Sequence, residues 1–129
     1  MTASRKILLC APLAGLLLAG ALLSPSAHAA DGSSTFLSEC ADCHSPTKGK
    51  NKKGPSLFGV VGRPAASVPD YTYSDALKGS HWTWTPAQLK IYLSQKSSSA
   101  LPGTKMKYDG LGEDPKELDA LIAYLNTLH

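Results

Sequence analysis

Positive charge is in short supply: 129 residues carry thirteen Lys and Arg against ten Asp and Glu, a formal net charge of +3. A protein that binds through phosphates must neutralise many of them, so nucleic acid is excluded as a partner. Cysteine is scarce too, at three residues, which excludes a disulfide-dense scaffold. No internal repeat or interdomain linker is visible, and no β-branched strand run lies near the cysteines. Uninterrupted apolar sequence is also lacking, because the run from Ile7 to Leu23 is broken by Pro12, Gly15 and Gly20. A stable membrane span needs about 20 apolar residues in succession, so no stable anchor is expected. What remains, 43% hydrophobic and 18% charged residues, suits one globular domain rather than a disordered or collagen-like chain.

The broken apolar run has a different reading. Arg5 and Lys6 precede it and Ala27-His28-Ala29-Ala30 closes it, the order of a secretory signal peptide. Residues 1–30 are therefore expected to be cleaved after Ala29 or Ala30, with export to the periplasm. A lipid anchor at Cys10 is disfavoured, because the apolar stretch continues beyond it. Losing Arg5 and Lys6 leaves eleven basic against ten acidic residues in 31–129. A small domain in an oxidising compartment often needs a covalent or metal staple. Only Cys40 and Cys43 are left to provide one.

Those two cysteines stand in Cys40-Ala41-Asp42-Cys43-His44, and C-x-x-C-H is the attachment signature of a c-type haem. Each thiol forms a thioether with a haem vinyl group, and the following imidazole reaches the iron. Helical spacing brings positions i and i+3 to one face, so both sulfurs address one edge of the porphyrin. Two other chemistries use such residues. A thioredoxin-like dithiol needs a strand–helix–strand frame, of which there is no sign here. Zinc or copper needs further ligands, and neither His81 nor His129 has ligand spacing.

A haem iron with one histidine leaves its other face to Met, His, water or a gas, and that choice decides function. Met106 is the sole methionine of 31–129 and lies in the turn-rich segment Leu101-Pro102-Gly103-Thr104-Lys105-Met106. A loop of that composition could wrap to the far face, although a lone methionine can equally be core filler.

With these residues in view, the chain resembles the class I cytochromes c, mitochondrial cytochrome c and its small bacterial relatives. The likeness spans nearly all of 31–129. Gly32 and Phe36 precede the motif; Lys53-Gly54-Pro55-Ser56-Leu57 and Gly59-Val60-Val61-Gly62-Arg63 follow it. Tyr71-Thr72-Tyr73-Ser74-Asp75-Ala76, Trp84, Leu89, Tyr92, Leu93, Pro102 to Met106 and Ala123-Tyr124-Leu125 complete the match. The resemblance implies His44 and Met106 as iron ligands and one covalently bound haem c held by Cys40 and Cys43. It further implies that the Pro55 carbonyl orients His44, that Arg63, Tyr73 and Trp84 hold the haem propionates, and that Tyr92 and Thr104 line the Met106 side. Trp82 has no role in this scheme. Leu77 stands where the family often has a polar Asn, so a smaller or drier internal network is expected.

The sequence predicts an all-α fold, the class I cytochrome c fold, with helices wrapped around the haem. A first helix is expected from about Ser34 through the haem motif. Thr85-Pro86-Ala87-Gln88 and Asp114-Pro115-Lys116-Glu117 open two more, the last with Leu118, Leu121, Ile122 and Leu125 on one face. A short helix near Ser74 to Lys78 is expected to end at Gly79. Lys48 to Gly54 and Ser97-Ser98-Ser99 read as surface loops. By resemblance, Gly32 packs on Tyr124 where the first and last helices cross.

The implied function is one-electron transfer by a monomeric periplasmic carrier between membrane or periplasmic redox proteins, with no substrate bond made or broken. A cytochrome subunit of a periplasmic dehydrogenase complex is the alternative, and a haem peroxidase or gas-binding protein with open iron a further one. Lys48, Lys50, Lys52 and Lys53 after the motif, with Lys105 and Lys107 around Met106, oppose acidic Asp109, Glu113, Asp114, Glu117 and Asp119. Such a dipole would steer an acidic partner.

Overall fold

The computed structural model describes residues 31–129, so the expected signal peptide lies outside the described residues. Five helices follow in order: α1 Gly32–Glu39, α2 Asp75–Ser80, α3 Pro86–Leu93, α4 Ser97–Ala100 and α5 Pro115–Leu125. Among the described residues no helix is long and apolar enough to cross a membrane. Among the described residues, pairing of extended backbone is confined to an isolated antiparallel bridge between Pro64 and Thr83. The fold is all-α, as expected.

Local chemistry explains where most helices begin. The Asp31 carboxylate accepts from the Ser33 amide, Thr85 Oγ1 from the Gln88 amide at 3.1 Å and the Asp114 carboxylate from the Lys116 amide at 2.9 Å. Each cap satisfies an amide that has no partner within its own helix. Pro86 and Pro115 occupy the first helical positions, where a missing N–H costs nothing.

Three boundaries differ from expectation. α1 stops at Glu39, before the haem motif, because the Cys40 and Ala41 amides both turn back to the Phe36 carbonyl, at 2.9 and 3.0 Å. α2 runs past Gly79 to Ser80, and His81 takes the left-handed conformation with φ of 53°. Ser80 Oγ holds that exit, donating to the Leu77 carbonyl at 2.8 Å and accepting from the Trp82 amide at 3.3 Å. Ser97 opens α4 instead of sitting in a surface loop, and it is fully buried. Its amide donates to the Tyr108 carbonyl at 2.9 Å, which draws the tract inward.

The frame is set by α1 crossing α5. Leu118, Leu121, Ile122 and Leu125 form the buried stripe of α5, and the Phe36 ring meets Tyr124 at 5.3 Å. Gly32 lies at the crossing: a Cβ there would stand 2.0 Å from the Ala120 carbonyl oxygen and 2.8 Å from Tyr124 Cβ. Backbone cannot yield as a side chain tip can. Gly32→Ala should therefore lower the unfolding free energy of the haem-loaded protein by about 3 kcal/mol, at the upper end of ordinary overpacking. A denaturant midpoint equal to that of the unaltered protein would show that the helices do not depend on this approach.

Candidate haem site

The haem motif begins at the last turn of α1. Cys40 caps the helix, and the Cys43 and His44 amides donate back to the Cys40 carbonyl at 3.1 and 2.9 Å. This turn retains the helical i, i+3 relation although α1 has ended. Cys40, Cys43 and His44 all open onto one cavity of about 500 Å³. The Gly54 amide donates to the Cys43 carbonyl at 2.7 Å, tying the lysine-rich loop back onto the motif.

His44 is held on two sides. Its Nδ1 donates to the Pro55 carbonyl at 2.8 Å, since a carbonyl can only accept, and Nε2 is left to bind a metal. The ring lies against the Gly54 backbone, where a Cβ would meet His44 Cε1 at 2.3 Å. Gly54, at the end of the expected surface loop, is instead buried and forms the floor beneath the imidazole. Burial lowers the His44 pKa, with nearby Lys52 and Arg63 acting the same way and the Pro55 hydrogen bond opposing. The neutral imidazole, the ligating form, is thereby favoured.

Met106 lines the same cavity. Its amide donates to Thr104 Oγ1 at 3.3 Å, and Thr104 Oγ1 lies 3.3 Å from the Tyr92 hydroxyl. The remaining residues singled out by resemblance, Arg63, Tyr73 and Trp84, are brought to the cavity as well. The Arg63 guanidinium donates to the Phe58 and Ser56 carbonyls at 2.6 and 3.0 Å. Tyr73 Oη accepts the Val68 amide at 3.1 Å. Trp84 packs its ring 5.2 Å from Tyr92.

Apolar side chains complete the walls, among them Leu57, Val60, Leu77, Leu89, Leu93 and Leu125. Tyr108 is a lining residue that sequence reasoning missed. Its hydroxyl is buried without a hydrogen-bond partner in the protein, and burial drives its pKa upward, the nearby Glu39 charge adding to the effect. An aromatic two residues after Met106 was the available signal.

The donor set separates the competing chemistries. A redox-active dithiol requires a thiol of lowered pKa. Burial instead pushes the Cys40 thiol up to about 11, with the Glu39 and Cys43 charges adding to it. Among the described residues no three His, Cys, Asp or Glu side chains are grouped to hold a metal ion by themselves. Two thiols, one oriented imidazole and one thioether around a mostly apolar cavity fit a haem.

The cytochrome c family model matches residues 29–129. The chain belongs to the cytochrome c family. Members are electron carriers with one covalently bound haem c, and Cys40 and Cys43 of this cytochrome c stand in the attachment motif. It is 43% identical to cytochrome c2 of Rhodopila globiformis over 105 residues, 81% of this chain and 97% of the relative. Cytochrome c2 of Agrobacterium tumefaciens is 45% identical, over 74% of this chain and 87% of its own. In structure, the cytochrome resembles cytochrome cH from Methylobacterium extorquens with a TM-score of 0.68 and 45% identity, covering 77% of this chain and 97% of the other.

Proposed function

We propose that this chain is a periplasmic one-electron carrier in which His44 and Met106 would serve as the ligands of the haem iron. The observation that carries this reading is that both side chains open onto the cavity that also receives Cys40 and Cys43. When bound, the haem supplies a one-electron couple between Fe(III) and Fe(II), and a thioether ligand favours the reduced state. The protein's task is to hold that couple still.

The residues divide the work. Cys40 and Cys43 anchor the haem, the Pro55 carbonyl fixes the His44 ring, and Thr104 and Tyr92 hold the Met106 loop. Arg63 supplies positive charge beside the cavity for the haem carboxylates, with Tyr73 and Trp84 alongside. Leucine and valine walls keep water from the iron, which disfavours bond-making chemistry and an open-iron enzyme. The apolar run from Ile7 to Leu23 lies outside the family match, consistent with a cleaved export signal.

The lysines support docking to an acidic redox partner. Lys53, Lys105 and Lys107 rim the cavity, and these three with Lys48, Lys50 and Lys52 are exposed. Ion pairs among the described residues involve Lys78, Lys90 and Lys96, none of them in this group. The rim charges are thus left for a partner. The second-order rate of electron transfer with the partner isolated from the same envelope should fall as ionic strength rises. Lys105→Glu together with Lys107→Glu should slow it about tenfold at low salt, the order expected when steering is lost. A rate indifferent to salt would assign docking to an apolar face instead.

A further inference from the structure

Trp82 has no part in the scheme above, yet its surroundings are unusually specific. The segment Trp82-Thr83-Trp84 is extended and pairs with Gly62 to Ala65: the Ala65 amide donates to the Trp82 carbonyl at 2.8 Å and the Trp84 amide to the Arg63 carbonyl at 2.9 Å. Side chains alternate along extended backbone, so Trp82 and Trp84 leave on the same side and Thr83 faces solvent. The Trp82 ring meets Trp84 edge-on at 5.8 Å and 76° and Tyr92 edge-on at 6.0 Å and 73°. Trp84 and Tyr92 are themselves 5.2 Å apart, so three rings brace one another.

Two of the three, Trp84 and Tyr92, are buried and line the haem cavity, whereas half-buried Trp82 stands behind them. Edge-on aromatic contacts are favourable beyond the area they bury and depend on ring orientation, so Trp82 restricts how the Tyr92 ring can tilt. Tyr92 in turn places its hydroxyl against Thr104, whose oxygen receives the Met106 amide. Lys105 and Lys107 on either side of Met106 are exposed and offer that loop no burial.

We propose that Trp82 is a positioning residue: from behind the cavity wall it sets the Tyr92 ring, and through Tyr92 and Thr104 it keeps the Met106 loop closed over the iron. This inference rests on Met106 as the iron ligand. It concerns the equilibrium between a closed loop and an open one that leaves the iron accessible. An external ligand binds only the open form, so its apparent affinity is proportional to the open population.

The test uses cyanide binding to the haem-loaded ferric protein at fixed pH, followed by absorbance, beside denaturant unfolding. Trp82→Leu should tighten apparent cyanide affinity about tenfold, the population change that two lost ring contacts can produce. Trp82→Phe, which restores a ring, should recover most of the difference. In a Tyr92→Phe background, where the hydroxyl relay is already cut, Trp82→Leu should change the affinity less than about twofold, a non-additivity that reports direct coupling. If Trp82→Leu does not fold, Trp82→Met, nearer in volume and also without a ring, carries the same comparison. Unchanged cyanide affinity with a lowered unfolding midpoint would make Trp82 ordinary packing and overturn the proposal. A full effect in the Tyr92→Phe background would overturn the relay. Unaltered protein that takes up cyanide as readily as Met106→Ala would instead overturn Met106 ligation, the reading beneath it.

Discussion

Met106→Ala should keep the haem attached, since Cys40 and Cys43 are untouched, while converting the iron from a closed site to one that binds cyanide and carbon monoxide. Apparent cyanide affinity in the ferric state should rise by about a hundredfold or more, because the competing loop-closed form disappears. The reduction potential should fall, as loss of the thioether removes the ligand that favours Fe(II). Intact mass separates this from haem loss: the variant should retain the mass of one haem. Unchanged ligand affinity and potential would remove Met106 from the iron. The substitution should leave most of the frame standing, because Met106 contributes a half-buried loop side chain and takes no part in the α1–α5 crossing.

The second large effect concerns the fold itself. The Cys40→Ala, Cys43→Ala variant, purified free of haem, should lose most of its helical circular dichroism and its cooperative thermal transition. Val60, Trp84, Leu89, Tyr92, Leu93 and Leu125 belong to the hydrophobic core and also line the cavity. Leaving a cavity of about 500 Å³ in a core costs about 12 kcal/mol at roughly 24 cal/mol per Å³. Domains are stable by only about 5–15 kcal/mol, so even half of that cost removes most of the margin. Water entering the cavity could pair with polar groups such as Tyr73, Thr104 and Tyr108, but it would leave the leucine, valine and tryptophan surfaces of the wall hydrated and so would restore only part of the loss. A haem-free chain with a sharp two-state transition would show that the helices form a core of their own.

The N-termini of α3 and α5 were legible because capping is local chemistry. Thr85 and Asp114 hold amides two or three residues away, and the adjacent prolines need no partner for an N–H. The buried stripe of α5 was legible through its spacing. The end of α2 was not, since a glycine is the usual left-handed exit and here Ser80 hands that role to His81. Three serines in a row look solvated, and only the distant Tyr108 carbonyl, which takes the Ser97 amide, draws the first one inward, where its hydroxyl is left without a partner in the protein.

By itself the sequence determined the chemistry: Cys40, Cys43 and His44 are adjacent along the chain, so their shared geometry follows from a single turn of backbone. It also determined the all-α class, through caps and periodicity that act over a few residues. Only the tertiary structure decided how distant segments meet. Met106 reaches the cavity of His44 because Tyr92 and Thr104 hold its loop, Gly54 is needed because an imidazole from another segment lies on it, and Trp82 matters because pairing with Gly62 to Ala65 turns it behind Tyr92. Such contacts join residues far apart in the chain. Their favourable energy exists only once the backbone has closed around the haem cavity, and no local pattern records it.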